Sequence, residues 1–544
     1  MSFLRLVQRE MQGSLHKLLA MVCLAGLGNF VLLAAINSGG QRSDGNISLS
    51  AAGLFVISLL VFVRAQTYVM VSVTAEIEAI IHRLRTRLME QVRDTELQQL
   101  ESIGRAELVG AVTGATAALT IAANMLAFVG QTVLLVIFVG LYVAYLSPLG
   151  FVISVAVMGA AASVYHLKGK HLASGRAESA KLAGRLFDRL GDFLDGFKEV
   201  RLNRARSDGL FEDASEVSRR AANIKISTEG DHFRRMMFAQ MTIYLLLGTF
   251  VFIVPMLTAT QGTTISKATL ALVFVVGSCF GLIQSLPVLD AANNATEAID
   301  QLEARLQVAN VAAPREEPQP LAFERIEMRG VTFRYSDASS DTTFHIGPLD
   351  FALGRGELVF ITGGNGSGKS TFLKVLAGLY HPDAGEIRCS DILVKDPTRD
   401  SYRALISAIF SDYHLFHRLY GIPGADPAEV ERLLTEFRLR DKTHLVDGQF
   451  STLELSGGQR KRLALVVSLL ERRPILLLDE WTAEQDPEFR RKFYDDVLPS
   501  LKRAGTTVVM ITHDSSYLDA LTLPARRLHM DEGRFIEQHG VEIA

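Results

Sequence analysis

A series of apolar stretches, each close to the length of a membrane-spanning helix, constrains the fold more than any other feature of this sequence. A helix needs about 20 apolar residues to cross the roughly 30 Å hydrocarbon core of a bilayer. Six stretches come near this length, all before about residue 290: residues 18–36, 51–73, 118–146, 149–165, 241–258 and 267–289. The sequence therefore predicts an all-α membrane half with six helices, followed by a soluble half.

The distribution of arginine and lysine predicts the orientation of these helices. Two long polar segments with helical periodicity, 74–117 and 166–240, are rich in basic residues, whereas the short loops 37–50 and 259–266 hold one basic residue, Arg42. Cytoplasmic segments carry the excess of basic residues in membrane proteins. We therefore expect a multi-pass membrane protein with both termini and both long segments in the cytoplasm.

Polar side chains lie in or near three of the apolar stretches: Arg64, Gln66, Gln131, Gln284 and Asp290. A charge at mid-bilayer costs about 2.5–3.5 kcal/mol on insertion scales, so such residues tend to face a cavity or a partner. Arg64 and Asp290 can also reach the cytoplasmic interface along their side chains. A role in a cargo cavity and a role at the interface therefore both stay open.

The second half of the chain predicts a soluble α/β domain with a mainly parallel sheet. Residues 1–311 form the predicted membrane domain, the proline-rich and charged residues 312–322 a linker, and residues 323–544 the soluble domain. Apolar strand-like runs at 357–362 and 474–478 alternate with helical patterns, one of which starts at Lys369. This alternation is typical of strand–helix–strand units.

A glycine-rich loop lies between the first of those strands and that helix. Residues 363–370 read GGNGSGKS and match the pattern G-x-x-x-x-G-K-[ST], in which backbone N–H groups wrap phosphates at a helix N-terminus. In this pattern the lysine reaches the β- and γ-phosphates, and the serine hydroxyl binds Mg²⁺. The predicted nucleotide contacts are Gly363, Asn365, Gly366, Ser367, Gly368, Lys369, Ser370 and Thr371.

Two adjacent carboxylates end the second buried strand. In the run 475–480, ILLLDE, we expect Asp479 to hold the Mg²⁺ shell together with Ser370, and Glu480 to act as general base on the attacking water. A positioned base contributes roughly 10² to 10⁴-fold to a rate. The sequence thus predicts ATP and Mg²⁺ as the ligands of this domain.

The run 455–459, LSGGQ, resembles the signature of the ATP-binding cassette superfamily. The resemblance implies that Ser456, Gly458 and Gln459 complete the ATP site of an opposing domain, so the chain works with a second copy of itself or a similar half. It also implies three further roles. Tyr335 stacks on adenine, Asp486 belongs to the loop after the carboxylates, and His513 is the switch histidine that contacts the γ-phosphate with catalytic effect.

One position departs from the general cassette pattern. Ser411 stands where the superfamily has a glutamine that binds Mg²⁺ and connects to the membrane helices. Either Ser411 or the neighbouring Asp412 is therefore a candidate to supply an oxygen to the metal, and Asp412 is favoured because Mg²⁺ prefers carboxylate and water oxygens. The alternative is that Asp412 caps a turn and faces solvent.

Finer motifs indicate the kind of transporter. Residues 479–487 read DEWTAEQDP and residues 412–416 read DYHLF. These runs resemble the bacterial cyclic-peptide and pyoverdine-type siderophore exporters, which include syringomycin and microcin exporters. The resemblance implies an ATP-hydrolysing half-transporter with an exporter-type membrane domain, a homodimer that exports a peptide-like cargo in contact with membrane lipid. A lipid or multidrug flippase and, from another class, an ATP-gated channel or membrane sensor are the alternatives. The net charge of −3 gives no indication of a nucleic-acid partner.

Overall fold

The computed structural model describes residues 2–11, 13, 15–39, 49–167, 172–257, 262–309, 321–336, 343–422 and 424–536. These residues form two compact units. Unit 1 comprises Met1–Leu88 and Val109–Leu302, and unit 2 comprises Met89–Leu108 and Glu303–Ala544. Most of the predicted linker, residues 312–320, lies outside the described residues. The segment Met89–Leu108, which we expected to belong to the membrane half, groups with the soluble domain.

The described chain up to residue 309 is helical apart from short breaks, such as those at Gly104 and Ser147. Long helices follow from the predicted apolar stretches, and their polar extensions continue the same helices. The helices are α1 Ser2–Glu10, α2 Leu15–Gly39, α3 Leu49–Asp94, α4 Leu97–Ile103, α5 Arg105–Gly110, α6 Thr116–Leu146, α7 Pro148–Leu167, α8 Leu172–Asp195, α9 Phe197–Leu202, α10 Arg204–Gly248, α11 Val254–Leu257 and α12 Gly262–Ala309. Single π-helical turns, Ala111–Ala115 and Thr249–Ile253, join α5 to α6 and α10 to α11.

Five of these helices are long and apolar enough to cross a membrane. The remaining predicted span, residues 149–165, lies in the 20-residue helix α7. Helix α3 has 46 residues and would measure about 70 Å at 1.5 Å per residue, more than twice the thickness of a hydrocarbon core. The expectation that helices extend well beyond the bilayer is therefore confirmed for α3.

Unit 2 contains the strands and the shorter helices of the soluble domain. The strands are β1 Arg325–Ser336, β2 Thr343–Gly354, β3 Leu358–Thr362, β4 Ala384–Cys389, β5 Ile392–Leu393, β6 Ile406–Ile409, β7 Leu445–Val446, β8 Gln449–Phe450, β9 Ile475–Asp479, β10 Thr507–Ile511, β11 Arg526–Asp531 and β12 Arg534–Ile536. The helices are α13 Lys369–Leu376, α14 Asp396–Arg403, α15 Pro427–Glu436, α16 Gly457–Leu470, α17 Pro487–Lys492, α18 Leu498–Arg503 and α19 Ser515–Ala520. A 3₁₀ turn, Trp481–Glu484, and a π-helical turn, Phe493–Val497, complete it.

The central sheet of unit 2 has six strands in the order β12-β11-β3-β10-β9-β6. The five strands from β11 to β6 run parallel, and only β12 pairs antiparallel. Both faces are covered, because alternate residues of β3, β9 and β10 enter two different apolar cores. Parallel strands buried on both faces read as continuous apolar runs, which is the pattern of β9 and β10.

The segment around α4 binds to the soluble domain through two acidic residues. The Glu96 carboxylate accepts a hydrogen bond from Arg403 at 2.5 Å, and Glu101 accepts one from the Tyr380 hydroxyl at 2.7 Å. Burial alone would raise the pKa of Glu96, but His381 and Arg403 together lower it to about 2. Leu97 packs against the apolar core between these acids. Pairs more than 270 residues apart in sequence thus fix this segment to unit 2.

Candidate nucleotide site

Four neighbouring parallel strands of the central sheet bring the predicted site residues to one edge. Strand β3 leads into the glycine-rich loop, β10 into His513, β9 into Glu480 and β6 into Ser411. Ligand sites of open α/β sheets lie at the carboxyl ends of the strands, because the connecting loops meet there. The fold therefore gathers, at one edge, groups that the chain separates by up to 150 residues.

Two glycines in the loop after β3 occupy backbone conformations that other residues rarely adopt. Gly363 has φ +147°, and a Cβ there would lie 2.1 Å from the Met530 carbonyl oxygen. Gly368 has φ +99° and immediately precedes α13. The Lys369 ammonium is buried and donates to the Gly363 and Gly364 carbonyls at 3.0 and 2.7 Å. The loop thus holds a lysine charge and the free N–H groups of a helix N-terminus together, as an anion site requires.

Asp479 has both carboxylate oxygens buried without a hydrogen-bond partner among the described residues. The hydroxyl groups of Ser370 and Ser411 lie beside it. Burial raises the pKa of Asp479, and the charge of Glu480 raises it further, whereas the two hydroxyl groups oppose the shift. A buried carboxylate without partners, with hydroxyl oxygens next to it, suits a hard divalent cation. Asp479, Ser370 and Ser411 therefore fit Mg²⁺.

The side chains of Glu480 and His513 are in contact, with 3.1 Å between Oε1 and Nε2. Both are partly exposed at the edge of the sheet. The backbone of Glu480 is left-handed, with φ +49° and ψ +36°, a conformation that is costly outside glycine and frequent at functional sites. Its N–H donates to the Ile511 carbonyl at 3.1 Å, which ties the end of β9 to the end of β10.

The signature residues begin helix α16. The Ser456 hydroxyl accepts from the Gln459 N–H at 3.4 Å, while the Gln459 side chain accepts from the Ser456 N–H at 3.1 Å. This reciprocal capping box fixes the helix N-terminus and leaves Ser456 exposed. Within the described parts of the chain, no hydrogen bond joins the signature residues 455–459 to the glycine loop.

The remaining candidates are placed differently. The Asp486 carboxylate caps α17 by accepting from the Phe489 N–H at 2.8 Å, and it pairs with Arg462 at 3.0 Å. Tyr335 lies in β1, and its side chain is outside the described residues. Asp412 is exposed, and no hydrogen bond or ion pair connects it to Asp479 among the residues described here. The metal role of Asp412 stays a prediction. Ser411, by contrast, lies beside the Asp479 carboxylate.

One residue beside the site was missed in the sequence. Lys461 is only 4% exposed, and its ammonium donates to the Glu480 carbonyl at 3.0 Å. In sequence it stands between Arg460 and Arg462, a run of three basic residues that normally indicates a solvated helix face. The unusual Trp481 was the one feature of the sequence that could have indicated a buried contact here. Its indole N–H donates to the Lys461 carbonyl at 2.8 Å.

The fold and this site define an ATP-hydrolysing membrane transporter. The family described as ABC transporter matches residues 346–483. The chain is also 33% identical, over 470 residues and 80% of both chains, to the ATP-binding protein SyrD of Pseudomonas syringae pv. syringae. The chain belongs to the ABC transporter family, and the resemblance found in its motifs is confirmed.

Two other relatives bear on the type of transporter. The ATP-dependent lipid A-core flippase of Bordetella pertussis is 33% identical over 245 residues, which are 42% of this chain and 37% of the flippase. A solved bacterial Atm1-family ABC exporter with ATP bound has a TM-score of 0.75 at 19% identity, covering 96% of this chain and 93% of the exporter chain. The predicted fold class, an exporter-type helical membrane domain fused to an α/β nucleotide-binding domain, is confirmed.

Proposed function

We propose that this chain is one half of a homodimeric exporter of a peptide secondary metabolite, located in the bacterial inner membrane with both termini in the cytoplasm. The proposed cargo class rests on the similarity to SyrD, which extends over 80% of both chains. The exporter-type motifs DEWTAEQDP and DYHLF support the same cargo class. The flippase similarity covers 42% of this chain. The membrane half of a transporter contacts the cargo. Similarity that extends over most of the chain is therefore better evidence for a shared cargo class than similarity over less than half of it.

The geometry of the site supports a different chemical role for each residue at the sheet edge. The glycine loop and Lys369 bind the phosphates of ATP. Asp479, Ser370 and Ser411 would hold Mg²⁺, which when bound neutralises phosphate charge. Glu480 takes the proton of the attacking water, and His513, already in contact with it, lies where a γ-phosphate contact is expected. Tyr335 and Asp486 keep the roles that the superfamily resemblance implies.

The position of the signature supports the proposed dimer. Ser456, Gly458 and Gln459 lie at an exposed helix N-terminus that makes no hydrogen bond to the glycine loop of its own chain among the described residues. A helix N-terminus attracts anions through its free N–H groups and its dipole. We propose that this terminus binds the ATP held by the glycine loop of a second copy, so that two copies enclose two nucleotides.

Two substitutions test the catalytic roles. We expect Lys369→Ala to abolish tight ATP binding, because the lysine contacts phosphates in the ground state. Glu480→Gln should keep ATP binding and lose turnover, because the base acts in the transition state. ATP affinity and ATPase rate of the purified full-length protein separate the two outcomes. Hydrolysis by Glu480→Gln close to the wild-type rate would remove Glu480 from the role of base.

A lipid flippase is the second candidate, because unit 1 contains a cavity that is compatible with a lipid cargo. This cavity of about 660 Å³ lies between α6, α7, α10 and α12, and its lining is apolar except for Ser154 and Cys279. An apolar lining suits an acyl chain, whether of a lipid or of a lipopeptide. Loss of a peptide from the culture fluid of a deletion strain, with that peptide stimulating ATPase activity in proteoliposomes, supports export. Stimulation by phospholipid or lipid A alone supports the flippase.

A further inference from the structure

An ion pair between a buried lysine and a half-exposed glutamate lies between the signature helix α16 and the turn that follows Glu480. The Lys461 ammonium, on α16, donates to the Glu480 carbonyl at 3.0 Å and pairs with the Glu484 carboxylate at 3.1 Å. The lysine side chain is 4% exposed and that of Glu484 54%. A buried ammonium needs such partners, because removing it from water is otherwise unfavourable. The lysine is therefore held in a single place, against the backbone of the proposed base.

The backbone of Glu480 needs external support, because its left-handed conformation is not one that glutamate prefers. Its N–H is held by the Ile511 carbonyl at 3.1 Å, and its carbonyl is held by the lysine. The other contact to this carbonyl, from the Ala483 N–H, is longer at 3.3 Å. The lysine thus supplies the shorter of the two contacts that fix the peptide group following the base.

The surrounding packing prevents the lysine from moving. The fully buried Trp481 donates to the Lys461 carbonyl at 2.8 Å and packs against the Phe493 ring. On the other side, Gly458 leaves room for the turn, because a Cβ at Gly458 would lie 2.7 Å from the Glu484 carbonyl oxygen. A side chain at this end of α16 would therefore push the turn, and with it the base, out of place.

We propose that Lys461 is a positioning residue, which holds the Glu480 backbone in its strained conformation and couples the signature helix to the base of the same chain. The inference rests on the proposed role of Glu480 as general base. A displacement of about 1 Å at a catalytic group can lower a rate about 10²-fold. Loss of Lys461 should therefore lower kcat while leaving ATP binding, which depends on the glycine loop, in place.

The test compares variants of the full-length protein in proteoliposomes. Lys461→Met removes the charge and the donors but keeps the length of the chain. We expect its kcat for ATP to fall about 10- to 100-fold with KM within about 2-fold of wild type. Lys492→Met is the matched control, because Lys492 also donates to a backbone carbonyl, that of Glu436, away from the site. This control should keep wild-type kcat.

A double-mutant cycle separates positioning from general damage. In the Glu480→Gln background, Lys461→Met should cause little further loss, because the base that it positions is already absent. The same fractional loss in both backgrounds, or a Lys461→Met kcat within 2-fold of wild type, would overturn the inference. If Glu480→Gln itself hydrolyses ATP normally, the proposed base is wrong instead, and the two failures are distinct.

Glu484→Gln decides the matter if Lys461→Met does not fold. Glu484 is half-exposed, so its substitution leaves the core intact, yet it releases the lysine from its carboxylate partner. A severalfold fall in kcat with unchanged KM supports the positioning role. An unchanged kcat overturns it.

Discussion

Replacing Asp479 by asparagine tests whether the orphaned carboxylate is a metal ligand. Both oxygens of Asp479 are buried without hydrogen-bond partners among the described residues, and burial raises its pKa above the ordinary 3.8. Asparagine has the same shape but no charge, and its amide can both donate to and accept from the neighbouring hydroxyl groups. We therefore expect Asp479→Asn to stabilise the metal-free protein and to remove its response to Mg²⁺.

The expected gain in stability for Asp479→Asn follows from the cost of the unsatisfied carboxylate. Leaving a buried polar group without a partner costs about 1–3 kcal/mol. The hydroxyl groups of Ser370 and Ser411 partly compensate, which places the gain for asparagine at about 1–2 kcal/mol. For a domain of 150 to 250 residues this raises Tm by roughly 2–8 °C. Because the pKa of Asp479 is raised, the aspartic acid is protonated at low pH, so the gain should appear only as pH rises well above 3.8.

The assay is thermal unfolding of the purified full-length protein at one fixed scan rate, in EDTA and then with Mg²⁺ and ATP. Asp391→Asn is the matched control, because it makes the same change at an exposed acid in the turn between β4 and β5. In EDTA only Asp479→Asn should raise Tm. With Mg²⁺ and ATP, wild type and control should gain stability that Asp479→Asn does not. A variant that is less stable than wild type in EDTA and still responds to Mg²⁺ would refute the assignment.

Three further predictions concern the dimer, the metal shell and α4. A mixed dimer with Lys369→Ala in one chain and Ser456→Arg in the other should keep one intact site, whereas both changes in one chain opposite a wild-type chain should damage both; equal ATPase rates would contradict shared sites. Ser411→Ala should raise the Mg²⁺ concentration needed for half-maximal ATPase activity more than Asp412→Ala does, and the reverse order would restore Asp412 as ligand. The pKa of Glu96 is lowered to about 2 from 4.5, so its stabilisation is present above pH 4.5 and lost as pH falls towards 2; Glu96→Gln, measured by acid unfolding, should lose less stability over that range than wild type.

The local elements of the site could be predicted because neighbouring residues determine them. Strand β3, the glycine loop and α13 follow one another in sequence, and each has its own signal: an apolar run, glycines with positive φ, and a lysine at the helix start. The prediction that β9 and β10 are buried strands is confirmed for the same reason. Their gathering at one sheet edge then follows from the parallel order.

Contacts between distant residues could not be read from the sequence in this way. Glu96 and Glu101 lie in a segment that reads as the polar end of a membrane helix, and their partners Arg403 and Tyr380 lie about 280 to 310 residues away. Lys461 reads as part of a solvated basic run, since its burial depends on packing that two other elements supply.

The signature helix and the proposed base are connected through the Lys461 side chain and the Glu480 backbone. Glu480 is held by the Ile511 carbonyl on one side and by Lys461 on the other, and Lys461 belongs to the helix that begins with Ser456. A shift of that helix, when its N-terminus meets an anion, is therefore transmitted directly to the peptide group of the proposed base. If the anion is the ATP of a second copy, nucleotide binding on one chain acts on the base of the other. This gives a physical reason why a single copy should hydrolyse ATP slowly.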